Sequence, residues 1–133
     1  MPVSDQPSLE ISELAGRVFA MAREGDAASL AAYVDAGVPV NLTNDSGDTL
    51  VMLAAYHGHA DAVRVLVARG ADVNRLNDRG QAPVAGAVFK GEDDVVRVLV
   101  DAGADPLAGH PTAVDTARMF GREDLLVVLS PPM

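Results

Sequence analysis

Apolar residues in this chain fall in short blocks whose spacing predicts helices. In "YHGHADAVRVLVARGADVN" (56–74), Ala62, Val63, Val65, Leu66 and Val67 make a wide apolar stripe, while Asp61, Arg64 and Arg69 lie on the wetter side. That pattern predicts a helix over 60–69 that stops at Gly70, and the block before it predicts a shorter helix over 50–57 that stops at Gly58. Glycine suits both stops because the chain there takes a left-handed turn at no Cβ penalty. Thr49 is placed to cap the shorter helix, and Asp61 sits in the first turn of the longer one, where the helix dipole favours it.

The same pattern recurs. Slid forward, the stretch falls on "FKGEDDVVRVLVDAGADPL" (89–107), with Gly58 over Gly91, Arg64 over Arg97, Leu66 over Leu99 and Gly70 over Gly103, each 33 positions apart (91 − 58 = 33). Slid backward, it falls on "REGDAASLAAYVDAGVPVN" (23–41). A fourth copy, "TAVDTARMFGREDLLVVL" (112–129), follows after a loop three residues shorter, since Gly121 stands 30 positions after Gly91 (121 − 91 = 30). Acidic residues open the later second helices as well, at Asp93 and Asp94 and at Glu123 and Asp124. Thr112 with Asp115 predicts a capping box, and Pro83 a favoured first helical residue after Ala82.

With this glycine spacing, Gly-His after the first helix and Gly-Ala-Asp-Val-Asn after the second, the chain resembles the ankyrin repeat family from about residue 9 onward. The resemblance implies an all-α fold, an ankyrin-repeat solenoid of stacked helix–turn–helix units with short β-hairpin fingers. It divides a single domain over 1–133 into repeats at approximately 8–41, 42–74, 75–107 and 108–133, the first and last acting as caps. The family's Thr-Pro-Leu-His tetrapeptide appears as Thr49-Leu50-Val51-Met52, Ala82-Pro83-Val84-Ala85 and Thr112-Ala113-Val114-Asp115. None of the three keeps the histidine that ties neighbouring turns, so the array is expected to lean on apolar contacts between repeats. The first copy has Gly16 and Arg17 there and reads as a capping repeat without a finger, with Leu14, Ala15, Val18, Met21 and Ala22 on one helical face.

Composition then narrows the chemistry. With 4% aromatics and no tryptophan, the core must come from Ala, Val and Leu. A net charge of −9, with Lys90 the sole lysine, argues against a nucleic-acid partner. With no cysteine there is no disulfide and no thiolate chemistry. The opening "MPVSDQPSLE" lacks the apolar core of a secretory signal, and no run approaches the ~18 apolar residues that would span a bilayer, so a cytoplasmic protein is expected. The arginine- and alanine-rich composition leans towards a GC-rich bacterial genome.

No copy carries a nucleophile with a base, a phosphate-cradling loop or a zinc spacing, so neither an enzyme nor a cofactor is expected. His57, His59 and Asp61 alternate as metal ligands might, but His59 holds the family's Gly-His position and its counterpart is Glu92, which makes the site structural. What remains is a surface for a protein partner. The resemblance implies two rows along a concave face: Arg23 and Glu24, Tyr56 and His57, Phe89 and Lys90, and Met119 and Phe120 at the helix ends, with Asp45, Ser46, Asp48, Asp78, Arg79 and Gln81 at the finger tips. The large side chains Tyr56, Phe89 and Met119 hold equivalent positions, as binding anchors or as a lid over neighbouring alanines. The acidic tips would steer a basic or mixed-charge partner. A second surface is the last repeat, where Leu126, Val127 and Leu129 form an apolar end, open to another copy or covered by Pro131 and Pro132; a monomer is the expectation.

Overall fold

The computed structural model describes residues 6–130. Over that span the apolar blocks fold into four helix pairs: α1 (Gln6–Glu24) with α2 (Ala27–Asp35), α3 (Leu50–Tyr56) with α4 (Ala60–Val67), α5 (Pro83–Lys90) with α6 (Asp93–Asp101), and α7 (Ala113–Met119) with α8 (Glu123–Leu129). The odd-numbered helices pack on one another in chain order, and so do the even-numbered ones, which gives a two-layer, all-α repeat solenoid. α4 ends two residues before the predicted 69 because the chain tightens into i→i+3 bonding, with Gly70 N donating to Val67 O at 3.0 Å.

The odd row buries Val18, Ala22, Leu50, Ala54, Ala55, Val84, Ala87, Val88, Ala113 and Ala117; its many alanines let these helices sit close. The even row buries Leu30, Val63, Leu66, Val95, Val96, Leu99, Leu125 and Leu129, the larger side chains that fill the space between layers. Thr49 Oγ1 accepts from Met52 N at 3.2 Å, and Thr112 Oγ1 from Asp115 N at 3.0 Å, so both predicted caps form. The capping box closes only on that side. Asp115 is too short to reach back and instead faces Arg118 at 3.9 Å.

Contacts between repeats recur at one period. Asn41 Oδ1 accepts from Asp72 N at 2.8 Å, and Asn74 Oδ1 accepts from Asp105 N at 2.7 Å. The ladder stops at Leu107, which stands 33 positions after Asn74 and has no side-chain carbonyl to accept the next amide (107 − 74 = 33). Gly25 and Gly58 do more than end helices. Both have positive φ, and an added Cβ would collide with the His59 ring or the Glu92 carboxylate of the following repeat.

The fingers are turns rather than the expected hairpins, with one isolated bridge, Thr43 to Thr49, among the described residues. Asn44 Oδ1 accepts the amides of Ser46 and Asp48 at 2.9 and 3.0 Å, which takes donors a longer ladder would need. Adjacent fingers are joined by Asp78 N to Ser46 O at 3.0 Å and by His110 N to Gly80 O at 2.9 Å.

The two ends pack unequally. Leu14 is exposed, while Val18 and Ala22 on the same helical face are buried. Leu129 is in the core and Leu126 is half-buried against it, so of the predicted apolar end only Val127 stands open, at 77%. Pro131 and Pro132 lie outside the described residues.

Two ion pairs cross repeats in the even row: Arg122 Nη2 meets Asp93 Oδ2 at 2.7 Å, and Arg69 grips Asp35 through Nε at 2.9 Å and Nη2 at 3.1 Å. The hydrogen bond from Arg69 holds the Asp35 carboxyl below its ordinary range. A depressed carboxyl contributes stability above its unfolded pKa and loses it as pH falls through the folded one. Arg69→Ala is therefore expected to lower stability modestly at pH 7 and by progressively less as pH falls through the carboxyl range, as urea titrations at a series of pH values would read.

Candidate functional site

The helix-end residues of the odd row and the inner sides of two fingers enclose an open apolar groove of about 300 Å³. Tyr56, Ala85, Gly86 and Phe89 form its apolar wall, Thr116 lies at the α7 side, Gln81 and Pro111 come from the fingers, and Lys90 stands at the rim. Of the sequence-predicted residues, the structure brings Tyr56, Gln81, Phe89 and Lys90 into this groove. Phe120 joins them through Phe89, the two rings meeting edge to face at 5.6 Å between centroids.

Equivalent positions do not have equivalent surroundings. Tyr56 is half-buried, its ring lying where a Cβ on Gly86 would be. A glycine inside a helix costs about 1 kcal/mol against alanine, and here it makes a seat for an aromatic ring. In the next repeat Thr116 stands where Gly86 does (86 + 30 = 116), so no such seat exists. Phe89 is accordingly 63% exposed and leans on Phe120, itself half-exposed, while Met119 is 69% exposed and outside the groove. Tyr56 thus both closes the packing on α5 and walls the groove; Phe89, Phe120 and Met119 are surface. Burial raises the Tyr56 phenol above its ordinary pKa, with Asp48 adding to the shift and Arg79 opposing it, so the group is a neutral hydroxyl facing the finger.

Cationic side chains at the helix ends act on His57. His57 is pulled below its ordinary pKa, first by burial and then by Lys90, His59 and Arg23, and it is uncharged at pH 7. His57 and His59 lie nearly parallel, 6.5 Å apart. His59 Nε2 is engaged with the Arg23 carbonyl at 2.7 Å, tying α4 to the last turn of α1, and Asp61 is paired with Arg64 at 2.7 Å. Two of the three candidate ligands therefore have structural partners of their own, and His57 lies against the His59 ring. Among the described residues no group of three or more His, Asp or Glu side chains is placed to hold a metal.

The finger residues divide in the same way. Asp45, Asp78 and Arg79 are exposed. Asp48 is half-buried and held by Asn77 Nδ2 at 2.9 Å. Asn77 itself was not singled out by sequence, yet it is 6% exposed and makes four bonds: to Asp48, to Gln81 Oε1 at 2.8 Å, and from the amides of Arg79 and Gln81 at 3.0 Å each. It joins the two fingers, the task expected to go unfilled without the tetrapeptide histidine. Its one signal in the sequence is Asn44, 33 positions earlier (77 − 44 = 33).

No helix of the described residues is long and apolar enough to cross a membrane. The chain is similar to a protein of Pseudomonas aeruginosa described as an ankyrin repeat protein, 42% identical over 60 residues. That match takes in 44% of this chain and 35% of the relative, so the chain spans about a third of the relative it matches. The family model described as ankyrin repeats (three copies) matches residues 18–109, well over half of the sequence. Such repeats generally mediate protein–protein contacts and are generally non-catalytic. By its period, its stacked helix pairs and this match, the chain belongs to the ankyrin repeat family.

Proposed function

We propose that this chain is a non-catalytic interaction module that holds a protein partner in the groove between its odd-numbered helices and its fingers. The observation that carries the reading is the exposed aromatic pair Phe89–Phe120 at the mouth of that groove. Solvated aromatic rings beside a preformed apolar cleft are the features of an interface anchor, and few other large apolar side chains are exposed so close together. Asp45, Asp78 and Arg79 at the finger edges supply steering for a partner of mixed charge. The alternative, self-association through the last repeat, has lost most of its surface with Leu129 in the core.

The test is a quantitative pull-down from the source cell's lysate, with wild type and Phe89→Ala/Phe120→Ala as baits. Both rings are surface, so the variant should keep wild-type helicity. Loss of two anchors should weaken capture by about 30-fold or more, the scale of one strong hot spot. A protein captured equally by both baits would place binding elsewhere.

A further inference from the structure

The lining of the groove runs against the charge of the whole molecule. The chain carries −9, and its acidic residues outnumber the basic ones 19 to 10. Yet the one ionised side chain lining the groove is Lys90 at the end of α5, and the same row of helix ends carries His57 after α3 and Arg23 at the end of α1, close enough that Arg23 and Lys90 both act on His57. On the finger side Arg79 acts on the Tyr56 hydroxyl. The arginines in ion pairs are Arg64, Arg69, Arg118 and Arg122; among the described residues Arg23, Arg79 and Lys90 are in none. No acidic side chain is among the residues lining the groove; of those nearby, Asp48 is held by Asn77, Glu92 is packed over Gly58, and Glu24 and Asp78 are exposed outside the lining.

We propose that the groove takes an acidic, extended peptide segment of a partner protein, with one bulky apolar side chain against Phe89 and Tyr56 and carboxylates paired with Arg23, Lys90 and Arg79. This rests on the interaction-module reading and names the partner's chemistry. The spacing follows from the fold. Neighbouring helices of a row lie about 8–10 Å apart, and an extended chain advances about 3.3 Å per residue, so carboxylates about three residues apart meet successive helix ends. A volume of about 300 Å³ admits a large side chain or two rather than a folded element. His57 stands between the cations without charge at pH 7; carboxylates brought beside it favour its protonated form, so the segment binds more tightly as pH falls towards 5.5.

The experiment is selection of a random dodecapeptide display library on the wild-type protein in low salt. Each enriched peptide is then measured against Phe89→Ala/Phe120→Ala and against Arg23→Glu/Lys90→Glu, both checked for wild-type helicity. The expected result is enrichment of acidic peptides that contain an aromatic or leucine. Charge reversal should cut their affinity by at least tenfold, and binding should tighten between pH 7.5 and 5.5 in wild type but less in His57→Gln. A protein of charge −9 favours basic peptides unless a local site decides otherwise, so chance enrichment runs against this outcome. Peptides that need Phe89 and Phe120 but are basic or neutral, or that ignore the charge reversal, would overturn the acidic segment and leave the interaction module standing. An enriched set insensitive to both variants, or no groove-dependent enrichment, would overturn both.

Discussion

Leu66→Ala is expected to lower the unfolding free energy by about 3 kcal/mol, the middle of the range for a fully buried leucine that leaves a cavity. Leu66 has no exposed surface and lies on α4, which packs against α2, α3 and α6. No repeat buries its apolar face alone, so a cavity here weakens the interfaces on both sides, and the whole array should unfold at lower denaturant. Against a total of about 5–15 kcal/mol for a domain, that loss is large. Urea titration followed by far-UV circular dichroism measures it, with Val127→Ala as the control. That valine is exposed, and its truncation should stay within about 0.5 kcal/mol. Equal effects for the two variants would mean that the end repeat is packed against something in solution.

Asn77→Ala is expected to cost about 2 kcal/mol, although it removes only a small polar side chain. Its four hydrogen bonds would be lost together, leaving the Arg79 and Gln81 amides without their acceptor and Asp48 without its cross-finger donor. Unmet polar groups in a part-buried site are the costly kind. Asn77→Asp separates the two halves of the account. It keeps an oxygen for the two amides but sets a second carboxylate against Asp48, which raises the folded-state pKa of the pair. A raised carboxyl pKa destabilises at neutral pH and relaxes as pH falls through it, so Asn77→Asp should be weaker than Asn77→Ala at pH 7 and recover towards pH 4. Denaturation midpoints across that range would show the crossing. A flat difference would mean that Asn77 acts through shape alone.

Much of the architecture was readable from residue spacing because it is set locally and then repeated. The 33-residue period, the apolar stripe on α4 and α6, the glycine stops and the threonine caps each depend on neighbours within one or two turns. His59 was also readable, since a residue that becomes Glu92 one period later is not under a ligand's constraint; the structure shows its ring spent on the Arg23 carbonyl. The hairpin fingers were over-read. Asn44 competes for the amides a ladder would use, and that competition is decided by side-chain geometry.

The groove was legible as a row of positions but not as a shape. Tyr56 and Phe89 share a register, yet one is seated and the other stands in solvent, because the residue facing each across the helix interface is Gly86 in one case and Thr116 in the other. The same holds for Asn77, whose partner Asp48 is 29 positions away, and for Leu129, which the fold turns inward while Val127 stays out. Periodicity reports the environment that a repeat makes for itself. Whether a given side chain is core, wall or surface depends on the volume and charge that the adjacent repeat presents to it, and those vary from copy to copy. Spacing therefore settles the helices, their ends and their order of stacking. The groove, the seat for Tyr56 and the tie between the fingers exist only once the copies are packed together.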